Sequence, residues 1–363
     1  MGKNVIVCCD GTANQFTQDN TNVVKLYVSL ISDPAQQVIF YHPGVGTWEA
    51  PGALTSLGRA LTIAAGQAVG YGLAGDIAAA YEFVMNNYKP DQDDRLFLFG
   101  FSRGAYTVRA VASLLFLCGM MRSGHETSVP YAIRLMNSIG RGKRSVDEDF
   151  EVLKRFQSTF STALPKIHFV GVWDTVSSVG WINNPLHVAY SASNPMIECG
   201  RHAVSIDERR AFFRQNMWRP LARPDLAGPR DLRQVWFAGV HCDVGGGYPE
   251  AESGLAKIAL QWMFKEAEGK GLLVDPVRRA AVLSAGQGPD PNGRMHDELA
   301  RNRAWWLVEY LPKRHWNSEK HRDEWRANGA RYRTLPPGSL IHRSVQQRQG
   351  YSPLLPPDHQ FVD

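Results

Sequence analysis

The sequence predicts an α/β protein with a mostly parallel sheet, helices on both faces of that sheet and a loop-rich C-terminal extension. Three observations predict this class. Short apolar runs alternate with amphipathic helical patterns, turn residues follow the runs, and the 363 residues are 44% hydrophobic and 21% charged. Strands that alternate with helices form parallel sheets covered on both faces. A chain of this length buries a full core without disulfides.

The first half of the chain supplies three predicted strands, each a run of apolar residues bounded by polar or turn residues. They cover residues 3–9, 37–41 and 95–99. Apolar residues at helical spacing predict helices at residues 23–31, 76–87 and 102–121. We expect two insertions here, at the Gly- and Ala-rich residues 44–75 and at the polar residues 122–150.

The second half is less regular. Apolar runs predict strands at residues 166–173 and 234–240, and helical spacing predicts helices at residues 205–213 and 255–269. An apolar stretch with two prolines, residues 181–200, is expected as a third insertion. No composition shift marks a boundary, so we predict a single domain over residues 1–363, in which residues 275–363 form the extension.

Composition excludes several classes of function. The net charge is only +5, and no long basic run or nucleic-acid motif is present, so no nucleic-acid partner is expected. The five cysteines have neither zinc spacing nor an even count, which favours a reducing compartment. The N-terminus lacks the apolar core of a signal peptide, and no run of 18 strongly apolar residues occurs. We expect a cytoplasmic protein, with export by a signal-independent secretion system as the alternative.

The strongest chemical signal is the sequence Gly-Phe-Ser-Arg-Gly at residues 100–104. It follows a predicted strand and begins a predicted helix, which is the context of a G-x-S-x-G nucleophile elbow. Such a turn exposes the Ser102 hydroxyl above a helix N-terminus, whose free N–H groups favour a developing oxyanion. The alternative is a tight turn in which Ser102 only caps the helix.

A serine nucleophile needs a base, and in this architecture an acid and then a histidine follow it along the chain. Asp174 ends the predicted strand 166–173, and His241 follows the predicted strand 234–240 ahead of a triple-glycine loop. Catalytic groups gather at the carboxyl edge of parallel strands. Two rival acids are Asp207, within a helical pattern, and Asp225, in a proline-flanked loop.

Supporting residues are predicted around this site. The N–H groups of Gly11, Thr12 and Arg103 are expected to bind the oxyanion, while Asp10 holds its loop rigid by accepting N–H bonds. Asp243 is expected to orient the loop that follows His241. An alternative role of Asp10 as a phosphatase nucleophile lacks the usual second aspartate, because Thr12 stands at that position.

Five motifs in order resemble one family of α/β-hydrolases: CDGTANQ, GFSRGAYTVRA, GVWDTVSSVG, SIDERRAFF and GVHCDVGGGY. This family contains the catalytic domains of type VI secretion phospholipase effectors. The similarity runs from about residue 3 to residue 265, and IHRSVQQR resembles the family's closing motif. The resemblance implies an α/β-hydrolase fold and an esterase or lipase acting on phospholipid acyl esters. It also implies that Ser102 is the nucleophile, Asp174 the acid and His241 the base.

We therefore expect a serine hydrolase that cleaves carboxyl esters through an acyl-enzyme, with no metal or other cofactor. The expected partner is a lipid or other acyl-ester substrate, with peripheral membrane contact; the sequence assigns no oligomeric state. Alternatives are an acyltransferase or thioesterase with the same triad, or a non-catalytic interaction module on the same fold. Residues 44–75 are predicted to form a lid at the entrance to Ser102, in which Leu61 and Ile63 contact long-chain substrates.

Overall fold

A computed structural model of the chain describes residues 2–11, 19–44, 67–142, 144–176, 180–181, 184–185, 188–219, 228–303, 305–310, 313–317 and 322–363. Its centre is an eight-stranded sheet in which every neighbouring pair of strands is parallel. The strands are β1 Asn4–Cys9, β2 Gln37–His42, β3 Arg95–Phe101, β4 Ile167–Trp173, β5 Ile197–Ser205, β6 Asp231–Phe237, β7 Leu340–His342 and β8 Gln360–Val362. Their order across the sheet is β8-β7-β6-β5-β4-β3-β1-β2.

The helices connect these strands. They are α1 Asn22–Ser29, α2 Gln67–Asn87, α3 Arg103–Cys118, α4 Val129–Ser138, α5 Val146–Phe160, α6 His241–Gly245, α7 Gly254–Glu268, α8 Pro276–Ser284, α9 Glu298–Arg301, α10 Trp305–Glu309 and α11 Ser344–Gln347. Among the residues that the structure describes, three small antiparallel pairs lie outside the central sheet: Met120–Met121 with Ser161–Ala163, Gly180–Trp181 with Asn184–Pro185, and Lys313–Asn317 with Arg322–Arg326. Within the described ranges, no helix has the length and apolarity needed to cross a membrane.

Two hydrophobic layers cover the sheet, and the alternation of side chains along each strand explains them. In β1, Val5 and Val7 join a core with helices α2 to α5, whereas Ile6 and Cys8 join a second core with α1 and α7. The α3 helix is buried over most of its length, as the sequence predicts for residues 102–121. The predicted α/β class, with helices on both faces of a parallel sheet, is confirmed.

The helix predicted at residues 205–213 is wrong. Ser205 instead ends β5 (residues 197–205), a central strand. Within residues 206–213, all of which are described, helical geometry is confined to a short 3₁₀ turn at Ala211–Phe213. The sequence does not predict β5 as a strand because it contains polar residues. These residues are buried because they have hydrogen-bond partners; His202 Nε2, for example, accepts the Thr175 N–H at 3.1 Å. After β5, the N–H of Asp207 bonds the carbonyl of Gly239 at 3.0 Å, so the chain follows the loop after β6.

The segments predicted as a polar insertion and as a loop-rich extension contribute regular structure. The polar residues 122–150 contain α4, whose apolar side chains, among them Ile133 and Met136, join the first core. The extension over residues 275–363 contains β7 and β8, which add two strands to the edge of the central sheet. Both cases arise because short apolar runs separated by charged residues carry a weak sequence signal.

Candidate active site

The Gly-Phe-Ser-Arg-Gly turn has the geometry of a nucleophile elbow. Ser102 lies between β3 and α3 with φ 58° and ψ −119°, a left-handed conformation that non-glycine residues rarely adopt. A side chain at Gly104 would bring its Cβ within 2.1 Å of the Cys9 carbonyl oxygen, and one at Gly100 within 2.5 Å of the Gly104 carbonyl oxygen. Only glycine at both positions therefore lets α3 begin directly against the end of β1.

The Ser102 side chain is not used for capping. Its backbone N–H donates to the Trp173 carbonyl at 3.1 Å, but the hydroxyl does not cap α3. In the part of the chain that the structure describes, this hydroxyl makes no hydrogen bond, and the residue is 9% exposed. A strained serine with an uncommitted hydroxyl argues against the helix-capping alternative.

Asp174 and His241 form a buried pair. Asp174 Oδ2 lies 2.6 Å from His241 Nδ1, and the two residues follow β4 and β6 at the same edge of the sheet. The Asp174 N–H bonds the Ala203 carbonyl of β5 at 2.7 Å, which fixes the acid between the two strands. Glu208 Oε2 accepts the His241 N–H at 3.2 Å. Nε2 of His241 has no hydrogen-bond partner among the described residues.

Three further groups hold the Asp174 carboxylate. Ser205 donates its N–H at 2.9 Å and its hydroxyl at 3.1 Å to Oδ1, and Arg333 donates to Oδ1 at 2.5 Å and to Oδ2 at 3.1 Å. Burial works to raise the pKa of Asp174, but the charges and hydrogen bonds of Arg333 and His241 hold that pKa far below its usual range. The carboxylate is therefore ionised at any physiological pH.

Aromatic rings surround the imidazole of His241. The rings of Phe101 and Phe213 each lie 4.6 Å from it, and Trp305 lies 5.6 Å from Phe213. Burial lowers the pKa of His241 below its usual value, although hydrogen bonding and charge from Asp174 oppose the shift. The imidazole is thus neutral near pH 7, the form that accepts a proton.

The rival acid Asp207 does not occupy this position. Asp207 accepts the Gly239 N–H at 2.7 Å and the Tyr351 hydroxyl at 2.7 Å, so its carboxylate is committed to the loop after β6. Burial also raises its pKa. Asp225 lies outside the described residues.

The predicted oxyanion loop is only partly described, because Thr12 lies outside the described residues. Asp10 is buried, and it accepts the Gly11 N–H at 2.6 Å, the Thr21 hydroxyl at 2.7 Å and the Tyr41 hydroxyl at 3.1 Å. These bonds give Asp10 the rigidifying contacts expected of it and leave it poorly placed to act as a nucleophile. They also occupy the Gly11 N–H, which differs from the expectation that this group faces an oxyanion.

The other predicted supporting residues lie on either side of the elbow. Arg103 begins α3, and burial lowers the pKa of its guanidinium to about 10, although the charge of Asp76 opposes this shift. Asp243 lies in α6 and accepts the Val240 N–H at 3.0 Å, so it ties the turn on which His241 stands. Its other oxygen lies 2.7 Å from Nδ1 of His296.

Sequence reasoning missed the residues that hold the Asp174–His241 pair. Ser205, Glu208 and Phe213 all lie within the motif SIDERRAFF, but its helical interpretation hid their role. Arg333 stands in a basic, loop-rich segment with no motif, and no sequence signal marks it. Most of the predicted lid, residues 45–66 including Leu61 and Ile63, lies outside the described residues, and the lid stays a prediction. In the described ranges, no cluster of three or more His, Cys, Asp or Glu side chains is arranged to hold a metal ion.

Comparison with known proteins gives one family match. Residues 3–266 match the model for the T6SS phospholipase effector Tle1-like catalytic domain. The chain is 35% identical over 230 residues to the uncharacterized protein YEL023C of Saccharomyces cerevisiae, and the alignment covers 61% of this chain and 33% of the yeast protein. The chain therefore spans about a third of that relative's length.

Two solved structures are similar over most of the chain. One is an uncharacterized protein from Pseudomonas aeruginosa, with a TM-score of 0.48 and 20% identity, covering 79% of this chain and 49% of that one. The other is a Tle1 effector bound to the VgrG spike of a type 6 secretion system, with a TM-score of 0.36 and 18% identity. That alignment covers 70% of this chain and 52% of the effector.

Proposed function

The chain belongs to the family of Tle1-like phospholipase effector catalytic domains, a family of lipid-ester hydrolases, and from this premise we propose that it cleaves carboxyl esters of lipids by a Ser-Asp-His triad. The observation that carries the proposal is the hydrogen-bonded Asp174–His241 pair at the sheet edge where the strained, uncapped Ser102 stands. Phospholipids are the proposed substrate class, because the family description names them.

In the proposed reaction, His241 Nε2 takes the proton of the Ser102 hydroxyl as the oxygen attacks the ester carbonyl. Asp174 holds the imidazole through Nδ1 and stabilises the imidazolium that forms. The N-terminus of α3, with the N–H of Arg103, stabilises the oxyanion, and Thr12 is the proposed second donor. His241 then protonates the leaving alcohol, and a water molecule activated by the same base releases the fatty acid.

The place of action is a further proposal. All five cysteines are free thiols and four of them are buried, which suits a reducing compartment such as the cytoplasm. Delivery by a secretion apparatus is the alternative, since the family is named for such effectors. A peripheral contact with a lipid surface follows from the proposed substrate.

A digestion assay tests the proposed function. Purified protein is incubated with vesicles of phosphatidylcholine, phosphatidylethanolamine and phosphatidylglycerol, and the released products are measured by mass spectrometry. We expect free fatty acid and lysophospholipid, with the rate reduced about 10⁴-fold or more by Ser102→Ala.

A serine within α3 provides the matched control. Ser113 is buried and its hydroxyl bonds the Arg109 carbonyl at 3.0 Å, so Ser113→Ala is expected to keep wild-type activity. Fatty-acid release that survives Ser102→Ala unchanged, or wild-type protein that releases none, would overturn the proposal.

A further inference from the structure

Arg333 contacts the proposed triad from a part of the chain that the family match does not cover. The match ends at residue 266, whereas the Arg333 side chain is 4% exposed and donates to both carboxylate oxygens of Asp174. It also donates to the hydroxyl of Ser205 at 2.7 Å, to the carbonyl of Ser205 at 3.1 Å and to the carbonyl of Phe213. The guanidinium therefore joins the acid to the end of β5 and to Phe213, whose ring packs against His241.

A buried latch positions this arginine. Glu309 is fully buried, and its carboxylate accepts the Ala211 N–H at 2.5 Å and the Ala330 N–H at 3.0 Å. Asn328 is 2% exposed and donates to Glu309 at 2.5 Å and to the Arg209 carbonyl at 2.7 Å. These bonds fasten residues 328–330 to residues 209–211, three residues before Arg333 enters the site.

The contact has an electrostatic consequence. A bidentate guanidinium fixes the plane of a carboxylate and neutralises part of its charge. A carboxylate so neutralised attracts the imidazolium form of its histidine partner less strongly, which favours the neutral imidazole. Two other charged groups, Glu208 and Arg210, face His241. The imidazole of His202, which is neutral, lies near Asp174.

We propose that Arg333 is a positioning residue of the triad: it sets the orientation of Asp174 and, by sharing the carboxylate charge, keeps His241 in the proton-accepting form down to lower pH. This inference rests on the proposed function, since it takes Asp174 and His241 as the acid and base. It also means that the C-terminal segment completes the site whose nucleophile, acid and base all lie within residues 3–266.

The test measures how the rate of reaction of Ser102 with a fluorophosphonate probe, and the hydrolysis of a p-nitrophenyl ester, depend on pH. In Arg333→Met we expect the midpoint of the acid limb to rise by about one pH unit. A neighbouring charge in a buried site shifts the pKa of a titrating group such as His241 by about this amount. Loss of orientation should lower kcat about 10²-fold. Arg333→Lys keeps the charge without the two-pronged bond, so its midpoint should stay near wild type while kcat falls.

Arg348 supplies the matched control. It lies in the same C-terminal segment and donates to the carbonyls of Pro291 at 2.6 Å and Gly293 at 2.8 Å, so Arg348→Met removes a comparable clamp elsewhere. We expect its midpoint to match wild type. An Arg333→Met midpoint equal to wild type, or an equal shift in Arg348→Met, would overturn the inference, because a merely structural role changes the amount of active protein and not the midpoint.

Three further variants keep the test decisive. If Arg333→Met does not fold, Asn328→Ala loosens the latch instead, and we expect a smaller midpoint shift in the same direction; an unchanged midpoint then overturns the inference. Ser102→Ala and His241→Ala separate the two levels of the proposal. If those variants stay active, the proposed function fails; if they are inactive and Arg333→Met keeps the wild-type midpoint, only the role of Arg333 fails.

Discussion

The described residues include two buried Asp–His pairs, and these differ in what the second ring nitrogen of the histidine contacts. Asp174 lies 2.6 Å from Nδ1 of His241, and Asp243 lies 2.7 Å from Nδ1 of His296. Nε2 of His296 is bonded to Glu252 at 3.0 Å, whereas Nε2 of His241 has no partner among the described residues. The first pair therefore leaves one nitrogen free for chemistry, and the second forms a closed bridge.

The directions of the pKa shifts follow from this difference. Burial lowers the pKa of His241, and the hydrogen bond of Asp174 does not overcome it. For His296, burial works in the same direction, but hydrogen bonds and charges from Asp243 and Glu252 outweigh it and raise the pKa. An Asp–His contact alone therefore does not identify a catalytic base. His241 differs from His296 in two ways. Its second ring nitrogen has no partner among the described residues, and its imidazole is neutral near pH 7.

The largest expected effect separates the two histidines by activity. His241→Ala should lower ester hydrolysis about 10⁴-fold or more, because it removes the proposed base. His296→Ala should keep hydrolysis within about tenfold, because its ring contacts Tyr248 and two carboxylates rather than the Ser102 elbow. Initial rates on a p-nitrophenyl ester, with folding checked by circular dichroism, measure both. Comparable losses in the two variants would remove the distinction.

The next effect concerns stability. His296→Ala leaves the buried Asp243 carboxylate without one partner, which should lower the free energy of unfolding by about 1–3 kcal/mol in urea denaturation. Because folding raises the pKa of His296, its charged form adds stability that is complete below about pH 6.5 and is lost as pH rises through the folded value. The gap between wild type and variant should therefore be wider at pH 6 than at pH 9. A gap that widens at pH 9 would contradict the charged bridge.

The smallest expected effect is on the pH dependence of hydrolysis. Since the pKa of His241 lies below its usual value, the acid limb of kcat/KM should have its midpoint below about pH 6.5, the value for an unperturbed histidine. Above this midpoint His241 is neutral and the rate should reach a plateau. His296→Ala should leave the midpoint in place. A wild-type midpoint well above pH 7 would show that the group controlling the rate is charged at neutral pH, against the assignment.

Sequence alone predicts the parts of this site that depend on local chain geometry. Ser102 is predicted as nucleophile because glycines flank a serine between a strand and a helix, and Asp174 and His241 are predicted as its partners because each directly follows a strand-like apolar run. The α/β class is likewise predicted, since strand and helix periodicities alternate along the chain.

The remaining features depend on contacts between distant segments. The sequence does not predict β5 because its arginine, histidine and serine are polar. Their burial depends on partners such as Thr175 and Asp231, and no local sequence pattern shows these contacts. Arg333 lies 159 positions from Asp174 in the sequence. The fold of the C-terminal segment brings the two residues together, and the residues near Arg333 do not encode that fold by themselves. A buried, paired arginine resembles an exposed one in sequence, because only tertiary structure supplies its partner.

The most direct test of the proposed triad is covalent labelling of its nucleophile. Wild-type protein is treated with a fluorophosphonate, digested and sequenced by mass spectrometry. We predict one adduct, on the Ser102 hydroxyl, with labelling abolished in Ser102→Ala, strongly slowed in His241→Ala and within about tenfold of the wild-type rate in His296→Ala. Labelling of a different serine, or labelling of Ser102→Ala at the wild-type rate, would contradict the proposal that Ser102 is the nucleophile.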